Sequence, residues 1–345
     1  MTKVLIIRLS AIGDVAMTIP VIYSAAVANP EVSFTVLTQT FLIPLFINRP
    51  ENVGVVGIDI KGAEKSLAGL IKFASGFSSH YHFDLVLDLH NVLRSKLIRF
   101  FFRIKGIKVF VLDKARKERE RLTRKTNKVL VPLKPVIIRY ADVFKNAGLA
   151  YTDNFISLFA KENVCLSFLK DLPAQKEGKW IGIAPFAKHQ GKIYPIQYME
   201  KVVKSLSARK DFTLFLFGGG GAEKEILERW ADTYSNVKSL AGCYSLDNEL
   251  RLMSQLDLLL SMDSSNMHFA SLVRTRVLSV WGATHPFVGF YGYKQNPEDV
   301  VQLDLYCRPC SAFGQKPCYR GDWACMSLLD PETIIEKVKN ILQDN

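Results

Sequence analysis

The sequence predicts an α/β protein built as two successive parallel-sheet halves, and three observations predict it. Apolar runs of strand length alternate with segments of helical periodicity along nearly the whole chain. The alternation restarts after a polar stretch near residues 160–178 that includes KDLPAQKEGK. A hydrophobic content of 48% with 23% charged residues describes a folded globular chain, and 345 residues suffice for two cores.

In the first half, strands are predicted at KVLIIRL (3–9), SFTVLT (33–38), VGVVGID (53–59), DLVLDL (84–89) and KVFVL (108–112). Helices fill 15–28, 64–78, 92–104 and 136–147. The second half brings strands at WIGIA (180–184), FTLFLF (212–217), KSLA (238–241), DLLLSM (257–262) and RVLSVWG (276–282). Its helices follow near 196–208, 222–234, 246–255 and 266–273. PETIIEKVKNILQ (331–343) reads as an amphipathic helix begun at a proline. The expected domains are residues 1–165 and 166–330. The terminal helix, 331–345, either stays with the second half or crosses back to the first.

The net charge of +12 is uneven. Between Arg94 and Lys145 stand 17 Lys or Arg against Asp113, Glu118, Glu120 and Asp142, a local net of +13. Such a block suits a solvated face, a nucleic-acid patch or an anionic lipid surface. LIRFFFRIKGIK (97–108) sets phenylalanines among the cations, which fits a membrane interface or simply core rings. No RNA- or DNA-reading motif accompanies the charge, so no nucleic acid is expected. Arg8 and Asp14 interrupt the first apolar stretch, which therefore does not read as a signal peptide. No uncharged apolar window approaches membrane-spanning length. The expected location is cytoplasmic.

Several strand-to-helix turns carry candidate chemistry. RLSAIGDVAMTIP (8–20) places Asp14 where open α/β folds usually dock an anion, either as a helix cap or as an acid–base group. MDSSNMHFAS (262–271) presents Asp263, Ser264, Ser265, Asn266 and His268 at a helix start. That is a diphosphate cradle, or a plain cap with a core histidine. APFAKHQGKIYP (184–195) supplies Lys188 and Lys192 as cations for a diphosphate. FGGGGAEKEI (217–226) offers close backbone approach to a nucleoside with Glu223 or Glu225 reaching ribose hydroxyls, or only a flexible turn. LDLHNVLRS (87–95) ends a strand with Asp88, His90, Asn91, Arg94 and Ser95, an acceptor-binding loop or a helix cap. Cys307, Cys310, Cys318 and Cys325 permit a structural zinc, but their spacing is irregular for a zinc ribbon and buried or paired thiols are favoured. Cys165 and Cys243 read as core residues.

With these residues in place, the chain resembles the ADP-heptose:lipopolysaccharide heptosyltransferases, glycosyltransferase family nine. VLIIRLSAIGDVAMTIP is similar to the family's strand–S-x-x-G-D–helix signature, with Ala11 where a second serine is common. MDSSNMHFASL resembles its D-[ST]-G-x-x-H segment, with Ser265 for glycine. GKIYP resembles its lysine-then-aromatic-proline stretch, with Tyr194 for tryptophan, and LDLHNVLRS and WGATHPFVGFYGY resemble two further family segments. The resemblance implies a GT-B fold, two Rossmann-like domains facing a central cleft. It implies sugar transfer with inversion from a nucleotide-sugar donor to an anionic, lipid-linked saccharide acceptor, with no metal needed for catalysis. Asp14 would be the general base. Lys192, Lys188, Glu223, Asp263, Ser264, Ser265, Asn266 and His268 would bind the donor, and Ser10, Gly13, His90, Asn91 and Arg94 the acceptor. The basic 94–145 region would meet the cytoplasmic face of the inner membrane. The competing readings are another nucleotide-sugar enzyme, such as an epimerase or hydrolase, and a basic nucleic-acid-binding protein.

Overall fold

Val4, Leu5, Ile6 and Ile7 are fully buried, as a strand covered by helices on both faces requires. The computed structural model describes residues 1–169 and 176–343; residues 170–175 of the expected polar linker and 344–345 of the terminal segment lie outside the described residues. The chain divides into two units, Met1–Ala115 with Lys134–Leu158, and Arg116–Leu133 with Phe159–Asn345.

The first unit runs β1 (Thr2–Ile7), α1 (Ile12–Ala16), α2 (Ile19–Ala28), β2 (Val32–Gln39), β3 (Val53–Ile58), α3 (Leu67–His80), β4 (Leu85–Asp88), α4 (Leu93–Arg103) and β5 (Lys108–Val111). After α5 (Arg116–Thr123), which belongs to the second unit, α6 (Val136–Asn146) returns to the first. The five strands are parallel in the order β3-β2-β1-β4-β5. Leu5, Ile7, Val86, Ile98 and Phe102 meet in the core beneath α3 and α4.

The second unit continues with β6 (Lys179–Ala184), α7 (Ile196–Ser207), β7 (Phe212–Leu216), α8 (Ala222–Thr233), β8 (Val237–Ser239), α9 (Leu246–Met253), β9 (Leu258–Met262), α10 (Ser265–Leu272), β10 (Val277–Val280), β11 (Val300–Val301), α11 (Ala324–Ser327) and α12 (Pro331–Gln343). Its sheet is also parallel, in the order β11-β10-β9-β6-β7-β8. Strand order thus reverses between β1 and β4 in one unit and between β6 and β9 in the other. Loops leaving the carboxyl ends of those four strands diverge to opposite faces and leave a crevice, the usual ligand position in open α/β sheets.

The structure differs from the sequence expectations at several places. The predicted helix 15–28 is two helices: Thr18 turns its N–H (2.9 Å) and hydroxyl (2.7 Å) onto Val15 O, and Pro20 opens α2 without an N–H to give. The domain boundary falls at Leu158/Phe159, and Arg116–Leu133 is placed with the second unit, so the 94–145 basic block is divided. There Lys128 Nζ donates to Cys307 O (3.0 Å) and Pro309 O (2.6 Å), and Arg119 lies over the Phe290 ring at 4.6 Å. Helix α12 packs on α7 and β9, its Ile334, Ile335, Val338, Ile341 and Leu342 completing the second core. Cys165 and Cys243 are exposed, because each lies in a connecting turn and not in a strand or helix.

The three phenylalanines of α4 divide by helical phase. Phe102 is fully buried against Phe77 and Phe83, whereas Phe100 is 53% exposed. Phe102→Ala is therefore expected to lower stability by about 3–5 kcal/mol and Phe100→Ala by less than about 0.5 kcal/mol, as read from urea denaturation followed by circular dichroism.

Candidate functional site

At the end of β1 the backbone N–H of Arg8 still bonds to Leu37 O (3.1 Å), so the ladder carries a cation to the lip of the sheet. Its buried guanidinium donates to Leu89 O (2.7 Å) and pairs with Asp14 Oδ2 (2.7 Å). Burial works against the charge on Arg8, but Asp14, with a contribution from Tyr140, more than restores it and holds the guanidinium above its ordinary pKa. Asp14 is the third residue of α1, and the N–H of Ala11 reaches the same Oδ2 at 3.3 Å. Gln39 Nε2 donates to Leu9 O (2.7 Å), tying the loop between Arg8 and Asp14 to β2. The carboxylate is thus held in place by groups from β1, α1 and their neighbours, while its side chain keeps partial contact with solvent.

The adjoining loop after β4 is organised by Asp88, which is fully buried. One oxygen accepts from the N–H groups of His90 (2.9 Å) and Asn91 (2.7 Å). The other accepts from Ser95 Oγ (3.0 Å) and Arg99 Nη1 (2.7 Å). The Asn91 side chain donates to Leu112 O (3.0 Å), and its φ of 49° is left-handed, a conformation asparagine tolerates. Asn91 thereby braces the loop. Arg94 stands exposed at the start of α4. His90 Nε2 lies 3.4 Å from Ser10 Oγ, which brings the β1 and β4 loops together, and Gly13 lies one residue before Asp14.

In the second unit, a short helical turn at Gln190–Lys192 follows β6. A Cβ on Gly191 would lie 2.8 Å from Ala283 Cβ and 2.9 Å from Gly314 O, so only glycine lets the turn sit this close to the strand end of β10. Lys192 Nζ then reaches Asp263 Oδ2 at 2.8 Å, and Thr284 Oγ1 donates to the same oxygen at 2.7 Å. Asp263 follows β9 and precedes α10, whose N-cap Ser264 is extended and gives no side-chain hydrogen bond to the helix. The first N–H groups of α10, from Ser265 and Asn266 onward, therefore remain available to an anion. His268 is buried one turn into the helix. Lys188 is exposed. Glu223 Oε2 accepts from Gly219 N (2.7 Å), which places this carboxylate over its own glycine loop.

Sequence reading overlooked Arg8 and Thr284. A charged residue ending an otherwise apolar strand was the available signal for Arg8; nothing local distinguishes Thr284. Among the clustered cysteines, Cys307 and Cys325 are buried, and burial pushes Cys325 to about 11 and raises Cys310. Among the described residues no group of three or more His, Cys, Asp or Glu is arranged to hold a metal.

Burial first, then Arg8, Lys114 and Arg94, lower the His90 pKa to about 2. An unfolded histidine takes its proton near 6.5, so below that pH the unfolded chain binds a proton that the native His90 refuses. Stability contributed by this site is full above pH 6.5 and is lost as pH falls. His90→Gln is expected to flatten the pH dependence of unfolding free energy between pH 6 and 4.5 by about 1 kcal/mol per unit, measured by urea titration at each pH.

Comparison with known proteins bears on this arrangement. The profile of glycosyltransferase family 9 (heptosyltransferase) matches residues 79–317. Lipooligosaccharide heptosyltransferase 2 of Campylobacter jejuni is 24% identical over 344 residues, covering 97% of this chain and 96% of its own. A family 9 glycosyl transferase from Veillonella parvula shares the fold with a TM-score of 0.76 at 18% identity, covering 100% of this chain and 98% of its own. The Escherichia coli heptosyltransferase WaaC, solved with ADP-2-deoxy-2-fluoro heptose, gives 0.69 at 18% identity, with 98% and 99% covered. The fold is GT-B, two parallel-sheet α/β units. The chain belongs to glycosyltransferase family 9, the heptosyltransferase family, and is a glycosyltransferase.

Proposed function

We propose that this enzyme transfers heptose, with inversion, from ADP-heptose to an anionic, lipid-linked acceptor of the lipopolysaccharide-core type, in the cytoplasm and peripheral to the inner membrane. The observation that carries the reading is a division of charge between two strand-end loops of a family 9 chain. One presents a carboxylate, Asp14, held by Arg8. The other presents an ammonium, Lys192, beside a helix start without a side-chain cap. The relatives' names and the ligand of WaaC support the donor and the acceptor class.

The acceptor hydroxyl oxygen forms the new bond to the anomeric carbon as the bond from that carbon to the diphosphate oxygen breaks. The hydroxyl proton passes to Asp14, and ADP leaves with the bonding electron pair. A carboxylate is too weak a base to ionise an alcohol beforehand, so proton transfer accompanies attack. Negative charge growing on the diphosphate is met by Lys192 and by the free N–H groups of α10. In the ligand-free protein Lys192 is held by Asp263. The diphosphate takes that ammonium, and Thr284 keeps Asp263 in place toward the donor sugar.

Asp14→Asn preserves shape and removes the proton acceptor. Transfer of heptose is expected to fall at least about 1,000-fold, with ADP affinity by calorimetry unchanged. Turnover near that of the parent enzyme would remove Asp14 from the mechanism. Lys192→Ala is expected to weaken ADP binding by roughly 10- to 100-fold, the loss of one charge-assisted contact. Product formed from donor alone, with no acceptor present, would reassign the enzyme as an epimerase or hydrolase.

A further inference from the structure

Helix α4 is apolar on two opposite faces, and only one of them is used by the fold. Ser95, Ile98 and Phe102 point into the core. At 100° per residue, Leu93, Phe100 and Ile104 lie on the opposite side within about 20° of one line. They are 81%, 53% and 61% exposed. Lys96 and Arg103 flank this ridge on one side and Arg94 on the other, all exposed. No Asp or Glu occurs between Asp88 and Asp113, and Asp88 is buried and paired with Arg99. The outer face of α4 is therefore a narrow apolar line about 16 Å long, edged by cations that no carboxylate of their own segment opposes.

We infer that this face of α4 docks on an anionic lipid bilayer, with Leu93, Phe100 and Ile104 entering the headgroup boundary and Arg94, Lys96 and Arg103 meeting lipid phosphates. Charge complementarity selects the occupant. A second copy of this chain would bring the same cations face to face, and three partly exposed side chains fall well short of the roughly 800 Å² per partner of a stable protein interface. A bilayer needs no matched surface: apolar side chains gain by leaving water, and each cation gains at the negative surface potential. The placement also extends the proposed function, on which its biological sense rests. The first turn of α4 directly follows the β4 loop that carries His90, so the docked helix brings the acceptor-side loop to the plane where a lipid-linked saccharide resides.

Sedimentation of the full chain with vesicles tests this without any acceptor present. Binding is expected to vesicles of phosphatidylcholine with phosphatidylglycerol, to weaken with salt, and to be slight on phosphatidylcholine alone. Leu93→Ser/Phe100→Ser/Ile104→Ser should weaken partitioning at least about tenfold. Lys96→Glu/Arg103→Glu should weaken it about 30-fold or more. Lys201→Glu/Lys204→Glu on α7, the same change of charge elsewhere, should alter it less than about threefold. Thermal melting and ADP binding like those of the parent chain establish that each variant is folded. Equal binding by the α4 variants and the parent, a loss as large in the α7 variant, or no preference for the anionic vesicles would overturn the assignment. Vesicle binding retained alongside absent heptose transfer would instead count against the proposed reaction, leaving the docking face standing.

Discussion

In a parallel sheet, every strand ends on the same edge, and where the strand order reverses the outgoing loops part to opposite faces. That constraint acts at β1 and β4 in the first unit and at β6 and β9 in the second. Helix starts with unsatisfied N–H groups and polar residues released from the sheet meet at such an edge, so chemistry concentrates there. Asp14, His90, Lys192 and Asp263 all follow one of these four strands. The two units apply one geometry to opposite charges, a partly exposed carboxylate in one and an ammonium beside free amides in the other.

Burial then decides how firmly those groups are held. A guanidinium or carboxylate taken out of water is costly unless it is both paired and hydrogen-bonded. Arg8 meets that demand at its two Nη atoms, with Asp14 and Leu89 O. Asp88 meets it with two backbone N–H groups, Ser95 and Arg99. Each pairing fixes a loop, so the order of the loops after β1 and β4 follows from electrostatics as much as from packing. Lys192 and Asp263 form the corresponding pair in the second unit, with Thr284 as the third member. Asp263 thus has two partners, one of them charged and one neutral.

Helix α4 shows the same economy on a larger scale. Its inner face supplies Ile98 and Phe102 to the core, its buried flank gives Arg99 to Asp88, and its outer face is left apolar and cationic. Core packing explains the first and charge burial the second; the third is the face inferred above to dock on lipid.

Much of the architecture was legible in the residues. Ten strand positions follow from runs such as KVLII and DLLLSM, because a strand buried on both faces must be continuously apolar. Asp14, Lys192 and Asp263 were legible because their turns sit between a strand and a helix with a recognisable order of residue types. Other features were decided only by the tertiary structure. That Arg8 faces Asp14 depends on how the short turn into α1 is bent, and that Thr284 meets Asp263 across 21 residues depends on β9 lying beside β10. The allotment of 116–133 to the second unit rests on long-range contacts of Arg119 and Lys128. Local periodicity names the elements and their faces, but which polar groups meet is decided by the turn geometry and strand neighbours that only the folded chain provides.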